Sequence, residues 1–127
     1  MTPQPVSRLA SAAAAVLSVL DAAKVPACLI GGLVIPRWGQ PRATTDADFA
    51  VLAPYGHEGP VIDLLLRKFR ARRPDAGAFA LAHRVLLLVS ADDVGIDVAL
   101  AASAFELDAI ERASPWEIAP GVVVRTC

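Results

Sequence analysis

Three carboxylates, two close together and the third far along the chain, carry its clearest chemical signal. Asp46 and Asp48 stand two residues apart at the head of an apolar stretch. In a strand that spacing sends both side chains to one face, within reach of a common hard cation. Such a pair suits Mg²⁺, which takes one or two carboxylates and completes its shell with water and phosphate oxygens. On spacing alone, Asp-x-Asp is more often a pair of solvated turn carboxylates than a metal site. Asp97 changes the balance, because it lies between Ile96 and Val98 in an apolar run, where an ionised carboxylate is costly unless paired or bound to a cation. Its plainer readings are a place on the open face of the sheet, or a pairing with Arg42 or Arg84. If its strand lies beside that of Asp46 and Asp48, three carboxylates converge and two-metal phosphoryl transfer is the economical reading.

Gly31-Gly32 supplies a complementary part. Without side chains the backbone can approach a polyphosphate, and N–H groups at the start of a following helix point toward it. A Gly-Gly turn alone reads as an ordinary strand-to-helix connection; its combination with the acids is what favours phosphate. Arg42 could steady a triphosphate or brace Asp46 or Asp48. Residues 67–73 hold five cations, better read as the solvated face and C-terminal end of a helix than as a nucleic-acid contact. His57 and His83 have no partner at ligand or triad spacing, and Trp38 and Trp116 read as packing anchors.

The elements that must hold these residues follow from periodicity. Leu9, Ala13, Val16, Leu17 and Leu20 fall at helical spacing and predict an amphipathic helix over residues 6–23. The same Ala-rich run could pass for the middle of a secretory signal, but Ser11, Ser18 and Asp21 favour the helix. A strand over 27–30, the Gly-Gly turn and a brief helix over 33–38 come next, then a strand over 47–52 and a Pro/Gly loop over 54–60. Residues 61–72 predict a second amphipathic helix. Residues 84–90 and 95–100, joined by a short connection, predict an antiparallel hairpin that places Asp97 in a strand. Ser103 with Glu106 three residues on predicts a capped helix over 104–113, and 122–125 a last edge strand.

Composition limits the function classes. The 127 residues suffice for a single domain, 1–127, with one core. Apolar residues make up 55% and charged ones 20%, which excludes a disordered chain. A net charge of −1 gives no global pull toward nucleic acid or anionic lipid. No apolar stretch reaches the ~20 residues of a membrane-spanning helix, so no membrane association is expected. Cys28 and Cys127 make no disulfide framework and no zinc pattern, so the cytoplasm is the expected compartment.

Taken together, the Gly31-Gly32 turn, Asp46-x-Asp48 and the later Asp97 resemble the nucleotidyltransferase superfamily, which includes DNA polymerase beta, tRNA CCA-adding enzymes and the nucleotidyltransferase-like toxins of toxin-antitoxin pairs. Arg42-Ala43-Thr44-Thr45-Asp46-Ala47-Asp48 looks like the Arg-x-Thr-x-Asp-x-Asp form of the toxin-like branch, and the resemblance spans about residues 25–113. It implies an α/β (α+β) fold, a mixed sheet with helices packed on it. It implies transfer of a nucleoside monophosphate from an NTP to a hydroxyl of RNA or protein, with release of pyrophosphate. By the same resemblance Asp46, Asp48 and Asp97 would be the catalytic and metal-binding residues, with two Mg²⁺ ions or Mn²⁺ in their place. Gly31, Gly32, Arg42, Thr44 and Thr45 would hold the nucleotide phosphates, and an antitoxin protein would be a partner. The alternative within the fold is a catalytically inactive module that binds nucleotide or a protein. A sugar transferase using Asp-x-Asp is a further alternative, opposed by the small size.

Overall fold

The computed structural model describes residues 5–30 and 46–127. In that span the chain runs through helix α1 (Pro5–Ala22), strands β1 (Ala27–Ile30) and β2 (Asp46–Leu52), helix α2 (Glu58–Lys68), strand β3 (Arg70–Ala71) and helix α3 (Ala76–His83). Strands β4 (Val85–Val89) and β5 (Gly95–Ala101), helix α4 (Ala104–Arg112) and strands β6 (Ser114–Ala119) and β7 (Val122–Thr126) complete it. The described strands form one sheet in the order β3-β4-β5-β2-β1-β7-β6. Because β2 runs parallel to β5 and β1 parallel to β7, while the other neighbours are antiparallel, the sheet is mixed and the fold is α+β.

Period-two alternation decides which side of the central strands is core. Ala47, Phe49 and Val51 of β2, Ile96, Val98 and Leu100 of β5, and Leu86 and Leu88 of β4 are buried together with Leu9, Ala13, Val16 and Leu20 of α1 and with residues of α2 and α3. Thus three of the described helices cover one face. Phe49 is fully buried at its centre, a burial worth on the order of 2–3 kcal/mol. The opposite face has a smaller cluster, Cys28, Ala50, Ala101, Ile110 and Ala113, where α4 packs across the C-terminal ends of β2 and β5. The N-terminal ends of those two strands carry the acids.

Several expectations met a different outcome. The helix read over 61–72 starts earlier, at Glu58, and stops at Lys68, because Phe69 turns extended (φ −132°, ψ 152°) and the chain enters β3 against β4. Helix α3 has no counterpart among the expected elements: its Ala-rich sequence gives little periodic signal, and it ends on Arg84 in the left-handed region (φ 57°). Strand β7 is not an edge, since β6 pairs outside it. The β4–β5 hairpin is present, its turn closed by Ser90 Oγ accepting from the Asp92 and Val94 N–H groups. The capping box at α4 is present too, Ser103 and Glu106 satisfying each other's backbone N–H.

The cysteines depart from the reading made of them. Cys28 and Cys127 are bonded to each other, their Cα atoms 5.8 Å apart and 99 residues apart in sequence. The reason is topological: β7 lies beside β1, with Leu29 opposite Thr126 and the Cys127 N–H donating to the Leu29 carbonyl at 3.0 Å. Spacing along the chain carries no trace of that adjacency. Among the described residues no helix is long and apolar enough to cross a membrane.

Candidate functional site

The acids sit where they do because of register. In the parallel β2–β5 pair Asp46 lies opposite Gly95 and Asp48 opposite Asp97. On the other side Ile30 pairs with Asp48. Asp46, Asp48 and Asp97 all alternate with buried residues of the main core, so the three carboxylates share the face away from α1, α2 and α3. The chain leaves the described sheet at Ile30, beside Asp48, and re-enters it at Asp46. Gly31, Gly32, Arg42, Thr44 and Thr45, and the helix read over 33–38, fall in residues 31–45 and lie outside the described residues.

The crowding tells on Asp48. Its pKa is raised from 3.8 to about 6, chiefly by burial, then by the charge of Asp97, a side-chain hydrogen bond with Asp97 and the charge of Asp46, with Arg72 opposing. Two carboxylates in hydrogen-bond contact on neighbouring strands cannot both ionise freely without a cation between or beside them. Asp97 also accepts a hydrogen bond from Arg72 Nη2 at 2.6 Å, both side chains being about one-third exposed. Arg84 is occupied elsewhere, with Glu58 at 2.7 Å and the carbonyls of Ala53 and Leu100. So the partner of Asp97 among the described residues is Arg72, from the run of cations over 67–73 expected on a solvated helix face.

Gly95 completes the arrangement. A Cβ there would collide with the Asp46 carboxylate, lying 2.9 Å from its Cγ, and would approach Arg72 Nη2 to 3.3 Å. A residue without a side chain opposite Asp46 therefore leaves the room in which that carboxylate stands. Among the described residues no group of three or more His, Cys, Asp or Glu side chains is arranged around a common metal position. What the described residues form is an open acidic ledge, with one arginine bonded to its outer member. Its donor set of carboxylate oxygens, crowded enough to lift a carboxyl pKa, matches hard divalent cations.

Other charged groups are used structurally. Arg70 pairs with Asp93 and Arg73 with Asp75 on the exposed surface, where such pairs contribute little. Glu58 is held below its usual carboxyl range by hydrogen bonding to its own backbone N–H, then by Arg84. His83 stacks on Phe79 at the end of α3, with ring centroids 4.4 Å apart. No protein-family model matches the chain, and no curated protein is significantly similar to it.

Proposed function

We propose that the chain is a metal-dependent nucleotidyltransferase that moves a nucleoside monophosphate from an NTP to a hydroxyl of RNA or protein and releases pyrophosphate. The observation that carries this reading is Asp48 facing Asp97 in register on parallel strands, with Asp46 on the same face and the Asp48 pKa lifted to about 6. That arrangement costs stability even with Arg72 beside Asp97, unless a further cation shares it. Together with Gly31-Gly32, which follow Ile30 in the sequence, it favours phosphoryl transfer over a carboxylate cluster of purely structural use.

Asp46 and Asp48 would hold two Mg²⁺ ions, or Mn²⁺, and Asp97 would hold the one nearer the nucleophile. When bound, these ions supply alignment of the α-phosphate with the acceptor and offset charge on the leaving group. The acceptor oxygen forms a bond to the α-phosphorus as the bond from that phosphorus to the bridging oxygen of the β-phosphate breaks. Asp97 takes the acceptor proton at a carboxylate oxygen, and pyrophosphate leaves with the bridging oxygen. Gly31, Gly32, Arg42, Thr44 and Thr45 would hold the phosphates, an assignment that rests on sequence alone. An antitoxin protein as partner and a cytoplasmic setting belong to the same proposal. In that reducing compartment the Cys28–Cys127 pair would be kept as two thiols.

Incubation of the chain with each labelled NTP, Mg²⁺ and either total RNA or cell lysate tests the reaction. Label should pass to an RNA or protein acceptor with stoichiometric pyrophosphate, and Asp48→Ala should abolish both. Undiminished transfer by Asp48→Ala would refute the assignment. Nucleotide binding measured by calorimetry without any pyrophosphate would favour the inactive module.

A further inference from the structure

The side chain of Arg72 crosses β4 to reach Asp97 on β5. Its backbone is tied to β4 just beyond β3, the Arg72 N–H donating to the Leu87 carbonyl at 3.0 Å. From there Nε and Nη2 donate to the Leu88 carbonyl at 3.2 and 3.0 Å, and Nη2 also reaches the Ile96 carbonyl at 3.0 Å and Asp97 Oδ1 at 2.6 Å. Two backbone carbonyls on two strands thus fix the plane of the guanidinium before it meets the carboxylate. Gly95, next to Ile96 on β5, lacks the side chain that would crowd Nη2. An exposed arginine held only by a carboxylate would be a weak surface pair; one clamped to the backbone of adjacent strands is a rigid fork.

We propose that Arg72 is a positioning residue, which fixes the rotamer of Asp97 so that this carboxylate keeps facing Asp48 across the β2–β5 pair. Through this bond one Asp97 oxygen is taken by a fixed donor, and the carboxylate keeps its contact with Asp48. The sign of its effect on a bound cation has two parts. The guanidinium charge repels the metal, whereas orientation of a ligand by a hydrogen-bonded outer partner typically strengthens binding about 10–100-fold. Lysine in its place keeps the repulsion and loses the fork, so Arg72→Lys isolates the orienting part. The inference rests on the acids being a cation site.

The test is titration of the metal-free chain with Mn²⁺ alone, followed by electron paramagnetic resonance, in the unsubstituted protein, Arg72→Lys, Asp97→Asn and the double variant. Arg72→Lys should weaken Mn²⁺ binding about tenfold, and in the Asp97→Asn background the same substitution should add nothing, because its effect passes through the carboxylate. Unchanged binding by Arg72→Lys, or losses that multiply in the double variant, would overturn the proposal. Urea denaturation checks that each variant folds, and Arg72→Met, held to the same non-additivity, replaces Arg72→Lys if that variant does not. Failure of the underlying site reading looks different: the unsubstituted chain would bind no Mn²⁺, or Asp48→Asn would bind it equally well, whatever stands at position 72.

Discussion

Replacing Asp48 by Asn should make the metal-free protein more stable at neutral pH. The carboxyl pKa lies at about 6 in the folded chain against 3.8 for the free group, so the folded state holds this proton more tightly than the unfolded one. A carboxyl raised in this way favours folding below pH 3.8, and the advantage is lost as pH rises through about 6. At ~1.4 kcal/mol for each pH unit the full effect is about 3 kcal/mol, and screening of this half-buried group reduces it to about 1 kcal/mol. Asparagine carries no charge at any pH and cannot follow that curve. Urea denaturation in EDTA at intervals from pH 4 to 8 reads the difference between the two proteins, in which contributions from Glu58 and Glu106 cancel. The variant should gain about 1 kcal/mol on the unsubstituted chain across this range, a shift of roughly 4 °C in Tm at this size, and Mg²⁺ should then stabilise only the unsubstituted chain. Parallel stability curves, or a variant less stable at pH 7.5, would show that Asp48 is under no electrostatic stress and remove the argument for a cation.

Gly95→Ala should cost about 1–3 kcal/mol as the new methyl displaces the Asp46 carboxylate, read as a lower urea midpoint together with weakened Mn²⁺ binding; a neutral result would mean that the ledge is loosely built. Breaking the Cys28–Cys127 bond with reductant should lower stability by about 2–4 kcal/mol, since it releases a closed loop spanning 99 residues. Denaturation with and without dithiothreitol measures it, and Cys28→Ser should reproduce the reduced value.

The parts of the fold visible in the sequence were those with a local cause. Leu9, Ala13, Val16 and Leu20 mark α1 by spacing, Ser103 and Glu106 mark the start of α4 by a capping box, and the short connection before Gly95 marks the β4–β5 hairpin. Asp97 stood out for the same reason, a charge inside an apolar run. What escaped was decided by neighbours distant in sequence. Residues 69–71, Phe-Arg-Ala, are compatible with a helix, but pairing with Leu88 and Val89 draws the chain out into β3. Strand β7 looks like an edge until β6 folds outside it. Arg72 lies 25 residues from Asp97, and only the order β3-β4-β5 makes them neighbours. The value of a glycine at position 95 is likewise invisible without the Asp46 side chain opposite it.

The bond between Cys28 and Cys127 acts as a hasp on the sheet. The β6–β7 hairpin meets β1 through a short ladder around Leu29 and Thr126, and the sulfur bridge closes beside it. With the hasp undone, the hairpin is held by that ladder and by Val124 in the core under α1, so its local opening should cost less than it does with the bond intact. Its departure would bare the edge of β1, the strand whose other side abuts Asp48. Thiol chemistry at one end of the sheet would thereby reach the strand that borders the acids, and amide hydrogen exchange at Val124 and Leu29 would register it first.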